Sequence, residues 1–242
     1  MDDLSYSAQH SGWEDYPAAQ WDERKPISWL DDWEFWHYCI EKYSSTDAPI
    51  LELACGNGRI TRQIVLSGYT VFAVDINPHF LNRAQANIPS HLTHCAHFFL
   101  QDVVYLSLNR QFSVAIMADW AFPSILTPAD QLQFFRSLSK HLLHEGIFAF
   151  NTLFPTIQQI GLIPTDTGFM WPDGRRFDPM TQIETRLSGD IPLQFRHTTL
   201  SEIEWLCQMT GFAIRERYGN VDRRPLRGIM GDDLTLILQK VM

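Results

Sequence analysis

The segment Glu52-Leu53-Ala54-Cys55-Gly56-Asn57-Gly58-Arg59 lies between an apolar run, Ile50 to Leu53, and a helical pattern from Ile60 to Leu66. Two glycines separated by one residue turn the chain sharply and leave bare backbone for a ligand to approach. Downstream the same alternation repeats. Thr70 to Val74 is β-branched and apolar, so a strand, and closes on Asp75. Asn77-Pro78 supplies a cap and a first-turn proline for a helix through Asn87. His97 to Leu100 and Phe112 to Met117 are the next strands. Thr127-Pro128 opens a helix with Leu132, Phe135, Leu138 and Leu142 on one face, and Gly146 leads into strand Ile147 to Phe150. Strands separated by helices mean βαβ units and a parallel sheet.

The flanks read differently. Residues 1–28 are polar and aromatic, and five of the eight tryptophans fall early, at Trp13, Trp21, Trp29, Trp33 and Trp36. Ser28 and Asp31 resemble a capping box, and Trp29, Trp33, Trp36, Ile40 and Tyr43 follow at helical spacing. Residues 152–199 break the βα rhythm. Asp173-Gly174 is a turn signal, and Thr181 to Leu187 and Pro192 to Thr199 read as antiparallel strands. Ser201 and Glu204 resemble a second capping box, with Leu200 and Trp205 as its hydrophobic staple. Phe212 to Tyr218 and Leu234 to Gln239 are the last strands. Their short connection favours an antiparallel pair. The expected division is an aromatic arm and first helix over 1–48, acting as a lid, and a main domain over 49–242. Within that domain, 152–199 is a β-rich insertion on the substrate side.

With 45% hydrophobic and 19% charged residues, 242 residues can bury a full core. No apolar run approaches the roughly 18 residues of a membrane span, so no membrane partner is expected. A net charge of −9 argues against nucleic acid as a partner, because a phosphate backbone selects basic surfaces. Cys39, Cys55, Cys95 and Cys207 lie far apart, which favours free thiols. With the acidic opening Met1-Asp2-Asp3-Leu4, this leads to the expectation of a cytoplasmic protein. His91, His94, Cys95 and His97 match no closed zinc spacing and read as a polar loop, so no metal is expected.

Three strand ends carry acids or glycines suited to a nucleoside. Asp75 can accept both hydroxyls of a ribose. Asp102 can accept the exocyclic amine of adenine, with Val103 against the ring. The dinucleotide fingerprint wants a third glycine where Thr61 stands, and a pyrophosphate is a poor neighbour for Glu52. A cationic ligand joining adenosine to an amino acid suits the acidic site better, and S-adenosylmethionine has that chemistry.

At these residues the chain resembles the class I S-adenosylmethionine-dependent methyltransferases. Glu52 to Gly58 matches the family's first motif, with Ala54 in place of the first glycine. Asp75 and Asp102 match the ribose and adenine acids. Leu143-His144-Glu145-Gly146 resembles the turn before strand five, without its proline and one glycine. The resemblance implies an α/β, Rossmann-like fold. Its sheet has seven mostly parallel strands with helices on both faces, an antiparallel last strand and an antiparallel insertion. It implies S-adenosylmethionine as cofactor, leaving as S-adenosylhomocysteine. The cofactor would lie against Glu52, Ala54, Cys55, Gly56, Gly58, Arg59, Asp75, Ile76, Gln101, Asp102, Val103 and Met117. Its insertion resembles that of members acting on small molecules, so the expected partner is a small-molecule methyl acceptor taking the group on N or O. The expected assembly is a monomer or homodimer.

Methyl transfer needs alignment more than it needs a base, so the catalytic residue is the least legible part. Asp119, His197 and Tyr218 are candidates, although Asp119 reads more readily as a solvated loop acid than as a base. Tyr16, Trp21 and Trp29 are candidate lid residues, and Trp120, Asn151 and Arg223 candidate substrate contacts. Trp33 and Trp36 share a helical face with Ile40 and read as core. Two alternatives stay open at this point: an NAD(P)-binding oxidoreductase, and a non-catalytic protein that binds the cofactor.

Overall fold

The computed structural model describes residues 11–45, 48–153, 163–165, 168–170, 174–228 and 232–242. Two short helices come first, α1 (Ala18–Arg24) and α2 (Trp33–Tyr43). Alternating elements follow: β1 (Ile50–Leu53), α3 (Arg59–Leu66), β2 (Val71–Asp75), α4 (Pro78–Asn87) and β3 (Ala96–Leu100). Then come β4 (Phe112–Met117), α5 (Pro128–His141) and β5 (Leu142–Leu153). Five short strands come next: β6 (Ile163–Thr165), β7 (Gly168–Met170), β8 (Arg176–Asp178), β9 (Ile183–Ser188) and β10 (Ile191–Arg196). The chain ends with α6 (Leu200–Thr210), β11 (Phe212–Tyr218) and β12 (Asp233–Lys240).

The main sheet has seven strands in the order β11-β12-β5-β4-β1-β2-β3. Strands β5, β4, β1, β2 and β3 pair in parallel, and β12 is antiparallel to both neighbours. This is the expected seven-stranded, mostly parallel sheet. The insertion forms a separate antiparallel sheet in the order β10-β9-β8-β7-β6. Asp173 of the expected turn, residues 154–162 of the insertion and residues 1–10 of the arm lie outside the described residues.

Alternation along the buried strands builds two cores. Ala115, Met117, Phe148 and Phe150 face Phe134, Phe135, Ile203 and Phe212 on one side. Val114, Ile116, Ile147 and Ala149 face Trp36, Cys39, Ile40, Ile60 and Ile64 on the other. Trp36 and Ile40 are fully buried, so α2 packs on the sheet as its spacing implies.

Both capping boxes differ from the sequence reading. Asp32, not Ser28, precedes α2, and its side chain caps nothing. Its carboxylate instead receives the Arg59 guanidinium and the Trp36 indole N–H, because a charge-assisted pair outcompetes a cap. The box of α6 is Thr199 with Glu202, two residues before Ser201 and Glu204. Arg196 at the end of β10 adds an ion pair to Glu202 at 2.7 Å, which selects that register. Trp205 is consequently half-exposed, and Ile203, Leu206 and Cys207 are the residues of α6 that face the core.

Among the described residues no helix is long and apolar enough to cross a membrane. None of them gather three or more His, Cys, Asp or Glu side chains in a metal-holding group.

Candidate active site

Strand order reverses between β1 and β4. β1 leads on to β2 and β3 on one side, and β4 leads on to β5 on the other. Open α/β sheets bind ligands in the crevice beyond the carboxyl ends at such a point. A cavity of 480 Å³ lies there, within the usual range for ligand sites. Its floor comes from the turn after β1 (Ala54, Gly56) and the turn after β2 (Asp75, Ile76). The turn after β3 (Asp102, Val103, Val104, Tyr105) and the turn after β4 (Ala118, Asp119, Trp120) complete it. Ser11, Trp13, Glu14 and Trp21 of the arm line it from above.

Each floor residue has a local cause. Ala54, Gly56 and Gly58 all have positive φ, so the chain after β1 curls tightly. Asp75 is buried and accepts the amides of Gly56 at 2.8 Å and Asn77 at 2.9 Å. Burial pushes its carboxyl up to about 6, against the pull of those amides. Asp102 caps the short turn at Val103–Tyr105 by accepting the Val104 amide at 2.9 Å, and burial raises its carboxyl. Asp119 and Trp120 both have positive φ, a conformation that costs non-glycine residues energy and clusters at working sites. Asn151 clips that turn by accepting the Trp120 amide at 3.2 Å.

The arm is fastened by the same turns. Asn77 caps α4 by accepting the His79 and Phe80 amides, and donates to the carbonyls of Trp13 and Tyr16 at 2.9 Å each. Asn57, inside the glycine turn, donates to Asp22 and to the Lys25 carbonyl, again at 2.9 Å. Arg59 donates to the Trp29 carbonyl and pairs with Asp32. Tyr16 is fully buried among Phe80, Leu193 and Phe195, which bridges the arm, α4 and the insertion.

The expected site residues therefore divide. Ala54, Gly56, Asp75, Ile76, Asp102, Val103, Trp21, Asp119 and Trp120 line the cavity. Glu52, Cys55, Gly58, Arg59, Gln101 and Met117 stand behind or beside that wall and shape it. Gln101, for example, is engaged by Ser107 through both its amide atoms. Tyr16 and Asn151 are supports rather than wall. Three candidates are placed elsewhere. His197 is buried in the second sheet, its Nε2 2.8 Å from Glu184. Tyr218 donates to Glu216, and burial together with that carboxylate raises its hydroxyl, so it holds its proton. Arg223 stacks on Tyr38, 4.4 Å from the ring centre, and faces Glu34. Among the residues sequence reasoning passed over, Trp13 was flagged only by the tryptophan excess. Tyr105, Asp130 and Lys25 carried no local signal at all.

Residues 50–146 match the family described as a methyltransferase domain. Over those residues the chain is similar to a methyltransferase domain. The domain is also 27% identical over 135 residues to "Putative methyltransferase YqeM" of Bacillus subtilis (strain 168), a match covering 55% of this chain. The chain spans about half the length of that relative, 53%. The fold is similar to the CcbJ methyltransferase from Streptomyces caelestis, with TM-score 0.77 and 18% identity over 96% of this chain and 99% of that one. It is also similar to the glycopeptide N-methyltransferase MtfA solved with S-adenosylmethionine. There the TM-score is 0.62 and the identity 16%, over 87% of this chain and 94% of the other.

S-adenosylmethionine is the methyl donor of the class, and the residues of this domain fit it. The acids and the curled glycine turn meet in one crevice, where a nucleoside and a charged amino-acid end can both be held. The buried Glu52 beneath the turn is held by the Thr61 hydroxyl at 2.6 Å, and burial pushes its carboxyl up to about 8. That shift predicts a pH effect. Between the ordinary carboxylate pKa and 8 the unfolded chain binds fewer protons at this residue than the native protein, so stability falls as pH rises through that window. Glu52→Gln removes this loss. We expect its melting temperature to gain on the wild type between pH 5 and pH 8. The gain corresponds to at least about 1 kcal/mol, or roughly 2–4 °C for a chain this size. Parallel melting curves for the two proteins would refute the assignment.

Proposed function

We propose that the protein transfers a methyl group from S-adenosylmethionine to a nitrogen or oxygen of a small molecule. The observation that carries the reading is the convergence of Gly56, Asp75, Asp102 and the Asp119–Trp120 turn on one roofed cavity. When bound, the donor supplies an electrophilic methyl on a sulfonium. Asp75 takes the ribose hydroxyls, and Asp102 takes the adenine amine between Ile76 and Val103. Residues 1–48 act as the lid, excluding water and holding the acceptor in line, a form of positioning that can contribute about 7–11 kcal/mol. Residues 49–242 form the methyltransferase domain, with 152–199 as its substrate-side insertion. The net charge of −9 supports a small acceptor over nucleic acid, and a cytoplasmic monomer or homodimer fits the free thiols.

A thermal-shift series tests the reading. S-adenosylmethionine and S-adenosylhomocysteine should raise the melting temperature, and NAD(H) should not. A shift with NAD(H) alone would mean a nucleotide oxidoreductase instead.

A further inference from the structure

The Lys25 ammonium lies in a three-sided box at one end of the cavity. It pairs with Asp119 at 2.8 Å, both side chains being about 15% exposed. It sits 3.4 Å from the centre of the Trp29 ring and 5.3 Å from that of Trp120. A carboxylate flanked by aromatic faces is the chemistry that holds ammonium ions. Asp119 and Trp120 also line the cavity, whereas Lys25 and Trp29 lie outside its wall, so the box opens onto the cavity through its acid and one ring. Two features of the surroundings bear on what the box can hold. Asp119 and Trp120 both hold positive φ and Asn151 accepts the Trp120 amide, so the turn that carries the acid and the ring is fixed in place. Lys25 follows α1 as its C-cap, its carbonyl held by Asn57, so its side chain can swing out while the backbone stays fastened.

We propose that Asp119, Trp29 and Trp120 form the recognition site for an alkylammonium acceptor, a small primary or secondary amine, and that the Lys25 ammonium is its resting occupant. This rests on the methyltransferase reading and names its acceptor class. A tethered lysine competes at an effective concentration on the order of millimolar. Only an amine that makes further contacts in the cavity displaces it, which sharpens selection. Asp119 is then the acceptor for the proton the nitrogen must lose before its lone pair can form the new N–C bond. The C–S electron pair stays on the departing sulfur, and the proton on Asp119 returns to solvent.

The test is a titration with tetramethylammonium chloride, followed by tryptophan fluorescence and calorimetry, with S-adenosylhomocysteine held at saturation. Lys25→Met keeps the aliphatic stem and removes the charge. It should bind the cation at least about tenfold more tightly than the wild type. Lys25→Arg should stay as closed as the wild type, and Lys25→Met with Asp119→Asn should lose the gain. tert-Butanol, a neutral molecule of similar size and shape to the probe, should bind none of these proteins tightly. If Lys25→Met binds S-adenosylhomocysteine yet gains no affinity for the cation, the box proposal falls while the methyltransferase reading stands. If saturating S-adenosylhomocysteine blocks the cation, the box belongs to the donor's site and the proposal is overturned. Failure of the wild type to bind S-adenosylhomocysteine would overturn the underlying reading itself, and loss of that binding in the variants alone would place the box in the donor's site and overturn the proposal.

Discussion

Gly58→Ala is expected to destabilise the protein by about 2–5 kcal/mol. Gly58 stands at φ +80° as the residue that opens α3. A Cβ there would lie 2.8 Å from both the Cα and the Cβ of Ala84 in α4. Left-handed backbone costs an L-residue about 1–2 kcal/mol. Overpacking against helix backbone adds about 1–3 kcal/mol, because neither contacted atom is the free end of a flexible side chain. For a chain of this length the sum corresponds to a fall in melting temperature on the order of 5–15 °C. A melting curve close to that of the wild type would show that α3 and α4 are not packed as described. Gly56 is the informative contrast. A Cβ at Gly56 meets only the Trp21 indole nitrogen, at 3.5 Å, an ordinary contact. Gly56→Ala should therefore bear the left-handed cost without the overpacking, destabilise less than Gly58→Ala, and also weaken ligand binding, because its Cβ points into the space between the turn and the arm.

Asp75→Ala is expected to weaken S-adenosylhomocysteine binding by about 1–3 kcal/mol, or roughly 5- to 150-fold, through loss of a charged acceptor for the ribose. The same change leaves the Gly56 and Asn77 amides without their carboxylate, so part of the loss comes from a loosened turn. Asp75→Asn keeps one carbonyl acceptor of similar shape and should recover part of the binding. The pH profile separates the charge from the shape. Burial places the Asp75 carboxyl at about 6, and its ionised form accepts two hydrogen bonds where the protonated form gives up one acceptor position. Affinity in the wild type should therefore fall as pH is lowered through 6, and the Asn variant should be flat there. Calorimetry at pH 5 and pH 8 reads both effects. Unchanged affinity for Asp75→Ala would remove Asp75 from the site.

The elements were legible where the signal was local. Asn77-Pro78 and Thr127-Pro128 begin helices because a short polar acceptor and a preset φ act within one turn of chain. Both misplaced caps show where that locality ends. Ser28 with Asp31, and Ser201 with Glu204, satisfy the local pattern. The true registers were chosen by Arg59 and Arg196, which reach in from other elements. The candidates that fell outside the cavity show the same limit. His197, Tyr218 and Arg223 were selected by residue type and place in the chain, and each is engaged away from the cavity: His197 by Glu184, Tyr218 by Glu216 of its own strand, and Arg223 by Tyr38 of α2.

The amino-acid sequence by itself determined the alternation of strands and helices, the acidic character, the glycine turn and the acids at three strand ends. These follow from hydrophobic period, backbone sterics and side-chain chemistry, all of which act over a few residues. Only the tertiary structure decided which arm residues roof the cavity and that Lys25 lies against Asp119. Those two side chains are far apart in the chain, and no periodicity or propensity links them. What joins them is the order of strands in the sheet, which brings the end of β4 beside the glycine turn and beneath the arm. Asn57, Arg59 and Asn77 then fasten the arm there through hydrogen bonds that exist only once the sheet has formed.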